Sequence, residues 1–189
     1  MWDAPAEGKS LYVTFDDGPD PETTPLILDM LNSFDAKASF FCVGENVSKH
    51  PETFQSMLDA GHAVGNHAYN HLKGWETDTK TYVENVQKCA ELVNSRIFRP
   101  PYGKMKPSQQ RILRKQFQLI MWTVLSRDYD PKISAISCLE NSWKYTRPGA
   151  IVLFHDHKKT IDKLKIVLPE YLRRAKESGY LFQALGEGH

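Results

Sequence analysis

Along the chain, short runs of consecutive apolar residues alternate with longer stretches in which apolar residues recur every three or four positions. The runs at residues 11–15, 38–43, 62–66, 97–99, 118–124, 150–154 and 180–184 read as seven buried β-strands. Between them, residues 24–34, 51–60, 78–95, 108–117, 134–145 and 160–178 carry helical spacing. Ser108 is the expected cap of the fourth helix, and Gly61 and Gly179 read as stops. Strict alternation of strand and helix predicts parallel strands joined by right-handed crossovers. Seven such units fit a closed or nearly closed distorted (β/α) barrel in one domain, its core spanning about residues 10–185. An open doubly wound sheet is the architectural alternative.

In either fold, chemistry gathers where strands end. The first predicted strand runs into T-F-D-D-G-P, with Asp16 and Asp17 adjacent. Asp, Gly and Pro are good turn residues, so a plain turn explains them equally well. The third strand is followed by His67 and His71, the fourth by Arg99 in R-P-P-Y-G, the fifth by Asp128 in S-R-D-Y-D, the sixth by His155 in H-D-H. Two histidines four apart share a face if their segment is helical. With a carboxylate from another strand end they form a His₂-carboxylate metal set, and a second Asp beside it suits a general base. Arg99 reads either as a barrel-end ion pair or as a fixed cation orienting a carboxylate. Pro100 and Pro101 stiffen a loop whose later N–H groups can serve as oxyanion donors. His155 next to Asp128 suits a general acid. His50 and His157 have no such company and read as surface residues.

Composition removes other classes. The 189 residues are 41% apolar and 25% charged with net charge +1, so no basic field points to nucleic acid. No apolar stretch is long enough for a membrane span. Cys42, Cys89 and Cys138 are widely spaced and odd in number, which indicates neither a zinc ribbon nor a disulfide framework; Cys42 reads as a buried small hydrophobe. The N-terminus lacks the pattern of an export signal, and the closing His189 reads as the start of a tag.

Taken in order, T-F-D-D-G-P, H-A-Y-N-H, R-P-P-Y-G, S-R-D-Y and L-F-H resemble the polysaccharide deacetylases, carbohydrate esterase family four with its NodB-homology domain. The resemblance runs from about Leu11 to Ala184. It implies a distorted barrel, often of seven strands, and a metal-dependent hydrolase that removes acetyl groups from N-acetylated sugars of a peptidoglycan or chitin-like glycan. By motif position it implies that Asp17, His67 and His71 hold a divalent metal, usually zinc, sometimes cobalt or nickel. Asp16 is then the general base, tuned by Arg99. The Tyr102 N–H stabilises the oxyanion, and His155, supported by Asp128, is the general acid. Leu153, Tyr129 and Pro101 wall the substrate pocket. The expected partner is an N-acetylated glycan and the expected state a monomer, with a cell-envelope or extracellular location suggested by the family. The rival readings are an O-acetyl xylan esterase or small-amide deacylase on this scaffold, and a glycan-binding domain without catalysis. The chain departs from the family pattern at Ala68 (usually Ser or Thr), at Leu72 (frequently Pro), and at Leu125 and Tyr129 (usually Asp and Trp). These changes bear on loop support and specificity and leave the metal and acid–base set intact.

Overall fold

A computed structural model of the chain describes residues 1–4 and 8–186. His189 lies outside the described residues. The elements follow in the order β1 (Ser10–Asp16), α1 (Thr24–Asn32), β2 (Ala38–Cys42), α2 (Gly44–Lys49), α3 (Pro51–Asp59), β3 (Ala63–Asn66), α4 (Thr79–Ala90), β4 (Ile97–Phe98), α5 (Pro107–Leu113), β5 (Gln118–Leu119), β6 (Val124–Leu125), α6 (Ala135–Lys144), β7 (Ile151–His155), α7 (Ile161–Glu177) and β8 (Leu181–Phe182). The strands pair in parallel along the path β5-β4-β3-β2-β1-β7-β6, with β8 added beside the start of β1. This curled path of seven parallel strands, flanked by helices, is the distorted (β/α) barrel expected from the alternating pattern.

Several elements differ from the sequence reading. The expected fifth strand is two short pieces, β5 and β6, placed at opposite ends of the path. Between these ends the N-terminal segment is inserted. Asp3 forms an antiparallel bridge with Ala150, and Met121 N–H donates to the Met1 carbonyl at 2.7 Å. Helix α2 was not anticipated, because in G-E-N-V-S-K only Val47 among the larger side chains is buried, too little for a periodic signal. The expected Ser108 cap is also corrected. Helix α5 starts one residue earlier, at Pro107, whose missing N–H suits a first helical position. The Gln109 side chain accepts from Lys106 N–H at 2.8 Å, and Ser108 instead bonds Thr79.

Every residue of β1 is buried, as a central parallel strand covered on both faces must be. Its side chains alternate. Leu11, Val13 and Phe15 join a large core with Ile27 and Leu31 of α1 and Leu164, Val167 and Leu168 of α7. Those three α7 positions fall at helical spacing on one face, and the helix stops at Gly179, whose φ of 80° is readily adopted only without a side chain. Tyr12 packs with Phe41, Ile97, Ile120 and Ile151 in a second, separate core. By the two-residue period of a strand, Thr14 and Asp16 follow Tyr12 on that face. One face of β1 therefore delivers a carboxylate at the strand's C-terminal end. The three cysteines are free and buried, and no described helix is long and apolar enough to cross a membrane.

Candidate active site

Strand register brings the separated motifs together. Asp16 pairs in the sheet with His155 on β7 and with Phe41 on β2, and Asn66, just before His67, pairs with Phe98, just before Arg99. The C-terminal ends of β1, β3, β4 and β7 thus meet around one cavity of about 450 Å³. Asp16, Asp17, His67, His71, Tyr102, Tyr129, Leu153 and His155 line it.

Asp17, His67 and His71 each offer one ligand atom, all within 4.8 Å of one another. His67 Nε2 stands 3.6 Å and His71 Nε2 3.2 Å from Asp17 Oδ1. Donors at about 2.0–2.1 Å from a tetrahedral ion are about 3.3 Å apart, so the two histidine–aspartate separations suit a zinc-like cation. His67 Nδ1 lies 2.7 Å from the Arg99 carbonyl, a partner that leaves Nε2 facing the other two ligands. The segment carrying the two histidines is not helical, contrary to the condition set by the four-residue spacing. Bends with left-handed backbone at Ala68 (φ 63°) and His71 (φ 54°) aim the rings, whose centroids are 5.0 Å apart. Ala68 is fully buried, and its N–H donates to the Asn66 side chain at 2.8 Å, while Asn66 Nδ2 donates to the Val86 carbonyl. Asn66 anchors the loop where the family's usual hydroxyl at position 68 is missing.

Five of the six described non-glycine residues with positive φ belong to these rim loops: Asp17, Ala68, His71, Tyr102 and Arg127. Such conformations cost free energy and persist where surrounding contacts hold them, as at functional sites. Burial disfavours the charge on Asp17. The His71 hydrogen bond and the positive potential of His67 and His155 outweigh it and hold the carboxyl below the ordinary range. Burial also lowers the pKa of His67, favouring the neutral ring that ligates metal.

Asp16 lies beside this set, its Oδ2 3.7 Å from His67 Nε2, and Arg99 Nη1 donates to its Oδ1 at 2.7 Å. Arg99 is fully buried. It also donates to Thr14 Oγ1 at 2.9 Å and to the Met121 carbonyl at 2.8 Å, and it stacks 4.0 Å from the Phe41 ring centre. A guanidinium this well satisfied is fixed, and it orients the Asp16 carboxylate.

On the β7 side, His155 Nδ1 pairs with Asp128 Oδ1 at 2.8 Å, and the His155 N–H donates to Asp128 Oδ2 at 2.8 Å. Ser126 and the Tyr129 N–H hold Asp128 in turn. Burial opposes a charged imidazole, but the Asp128 bond and charge prevail and push the His155 pKa up to about 9.

Pro101, expected on the pocket wall, is buried, and the cavity surface passes over Tyr102 and Gly103. In the local turn Gly103 N–H donates to the Pro100 carbonyl and Lys104 N–H to that of Pro101. Trp122 lines the cavity and was not singled out in the sequence; its ring would meet a side chain on Gly103 at 2.4 Å. Asp156 was also missed as a functional support. It is buried, takes hydrogen bonds from Thr23 and Thr24 at 2.5 Å each, and donates its N–H to the Asp16 carbonyl. Its place within H-D-H, directly after His155, was the available signal. Leu125, a departure from the family pattern, lines the cavity beside Leu153, its register partner.

Comparison with known proteins agrees with this geometry. A model of the polysaccharide deacetylase family matches residues 3–118. A peptidoglycan-N-acetylglucosamine deacetylase of Bacillus cereus is 31% identical over 98% of this chain and 91% of its own length. The chain spans 64% of another B. cereus protein of that name, at 32% identity. A chitooligosaccharide deacetylase of Azorhizobium caulinodans is 34% identical over 78% of this chain and 73% of its own. Among solved structures, the Bc1960 peptidoglycan N-acetylglucosamine deacetylase superposes with a TM-score of 0.88 at 29% identity, covering 97% of this chain and 89% of that one. BA3943 of Bacillus anthracis, described as a pseudoenzyme, superposes with a TM-score of 0.86 at 27% identity over 98% of this chain and 66% of that one. Fold alone does not settle catalysis, and the residues at the strand ends carry that argument. The chain belongs to the polysaccharide deacetylase family of hydrolases.

Proposed function

We propose that this chain is a metal-dependent N-deacetylase that hydrolyses the acetamido group of N-acetylated sugars in a peptidoglycan or chitin-like glycan. The observation that carries the reading is one cavity lined by a carboxylate, Asp16, by His155, which Asp128 holds from behind, and by a ligand set, Asp17, His67 and His71. A divalent cation held by these three ligands, zinc in the first instance, would supply Lewis-acid polarisation of the amide and a more acidic water. Asp16, oriented by Arg99, takes the proton from the attacking water. The Tyr102 N–H meets the oxygen that becomes negative at the tetrahedral stage. His155, protonated at neutral pH through Asp128, gives its proton to the departing nitrogen. That last step favours an amide over an ester substrate, because an amine must be protonated to leave and an alcohol needs this less. Leu153, Leu125, Tyr129 and Trp122 give the acetyl methyl an apolar surface.

The test is acetate release from N-acetylglucosamine oligomers, peptidoglycan fragments and acetylated xylan, with chelated protein before and after zinc or cobalt addition. Metal-restored release from an N-acetylated substrate is expected. Release from xylan alone would overturn the amide reading, and metal binding without release from any substrate would favour a binding role.

A further inference from the structure

The guanidinium of Arg99, which orients Asp16, rests on backbone that belongs to no strand. Its Nη2 donates to the Met121 carbonyl at 2.8 Å and its Nε to the Ile120 carbonyl at 3.4 Å. Both carbonyls lie between β5, which ends at Leu119, and β6, which starts at Val124. These two strands stand at opposite ends of the sheet path, so the segment joining them spans the gap in the barrel. Ile120 N–H still reaches the Phe98 carbonyl of β4 at 2.9 Å. Beyond that point the N-terminal residues take over.

Met121 N–H donates to the Met1 carbonyl at 2.7 Å. The Ile120–Met121 peptide is planar, so the bond that fixes its N–H also fixes its carbonyl, the acceptor of Arg99 Nε. Thr123 Oγ1 lies 2.6 Å from the Trp2 carbonyl and 2.7 Å from Asp3 Oδ1, and it accepts from Ile151 N–H at 3.2 Å. On the other side, Asp3 bridges Ala150, and Arg147 Nη2 lies 2.8 Å from each oxygen of its carboxylate. Ala4 N–H donates to the Gly149 carbonyl at 2.9 Å. Of these four residues only Ala4 is buried, and the exposed Asp3–Arg147 pair is worth little. A stretch held by a few polar bonds with little apolar burial opens locally at a lower cost than the whole fold.

We propose that residues 1–4 are a strap that positions the base of the reaction. The strap orders residues 120–123, that segment seats Arg99, and Arg99 orients Asp16. Thr123 and Asp3 are then positioning residues for hydrolysis, although neither lines the cavity. The role of Asp16 as base rests on the deacetylase reading above. The ligand set is anchored elsewhere, Asp17 by Asn46 Nδ2 at its carbonyl and the loop of His67 and His71 by Asn66, so loosening the strap slows turnover and spares metal binding.

The experiment uses the zinc-loaded full chain with Thr123→Val, which removes the hydroxyl at nearly constant shape, Thr123→Ser, which keeps it, and Asp3→Ala, which loosens the strap from its other side. Metal content, kcat and KM on the N-acetylglucosamine tetramer, and the magnetic resonance signal of Arg99 Nε–H are measured together. Thr123→Val is expected to shift and broaden the Arg99 signal and to lower kcat roughly tenfold, with metal content and KM little changed. Asp3→Ala should act in the same direction, and Thr123→Ser should keep most of the activity. An Arg99 signal unmoved in both Thr123→Val and Asp3→Ala would overturn the proposal, as would a moved signal with unchanged kcat. A fall in kcat matched by an equal loss of metal would mark general loosening and overturn it too. No acetate release by the unsubstituted chain would sink the deacetylase reading; the Arg99 signal then decides the strap alone, and a shift in Thr123→Val that Thr123→Ser does not show would support it.

Discussion

His155 shows how one contact sets the chemistry of a residue. Its pKa of about 9 comes from Asp128 prevailing over burial. The folded value lies above the ordinary 6.5, so the pair's stabilisation is complete below about pH 6.5 and is lost as pH rises through about 9. In the proposed mechanism the same proton serves as the acid, so turnover should hold through neutrality and decline toward pH 9. Asp128→Asn is expected to move that alkaline limb to lower pH, which a kcat/KM profile would read; an unmoved limb would remove His155 from the acid role. The identity of these residues was legible in the sequence, since each follows a strand end. The backbone that aims them was not. Left-handed φ values at Asp17, Ala68 and His71 depend on loop contacts from Asn66, Asn46 and the Cys42 carbonyl, which no local pattern encodes.

At the scale of elements, strong periodicity was a reliable guide and brevity was not. Helix α7 appears within a residue of its expected bounds at each end because it buries six side chains at helical spacing. Strands of two residues, such as β5 and β6, hold too little pattern to be separated from the loop between them. Helix α6 is capped by Ser134, whose hydroxyl accepts from Ser137 N–H at 3.1 Å. Ser134→Ala should destabilise the fold by about 1 kcal/mol, measured as a lower urea midpoint with unchanged slope. The turn between β1 and α1 is tighter. A Cβ on Gly18 would lie 2.2 Å from Asp156 Oδ2, beneath the loop that presents Asp16 and Asp17. Gly18→Ala is expected to cost about 1–3 kcal/mol by overpacking and to depress activity well beyond that of a surface change. Wild-type-like activity and stability would show that Asp156 can move aside freely.

For the whole molecule, parallel register is what turns five separated motifs into one cavity. Asp16 and His155 are distant in sequence and adjacent across β1 and β7. The family match at residues 3–118 stops short of His155, and the geometry supplies the remainder. Because the three proposed ligands come from two loops, a cation joining them should stabilise the fold. At a hundredfold excess over its dissociation constant the gain is about 2.7 kcal/mol, or roughly 5–10 °C in midpoint for a chain of this size. Chelated protein should show that rise on zinc addition, and His71→Ala should show much less of it.

The most direct measurement pairs metal content with acetate release in the same samples, for the unsubstituted chain and for Asp16→Asn, on an N-acetylglucosamine oligomer. The account predicts one divalent ion per chain in both, with turnover lowered by about 10²–10⁴ in the variant. Near-normal release by metal-loaded Asp16→Asn would contradict the division of labour between Asp16 and Asp17.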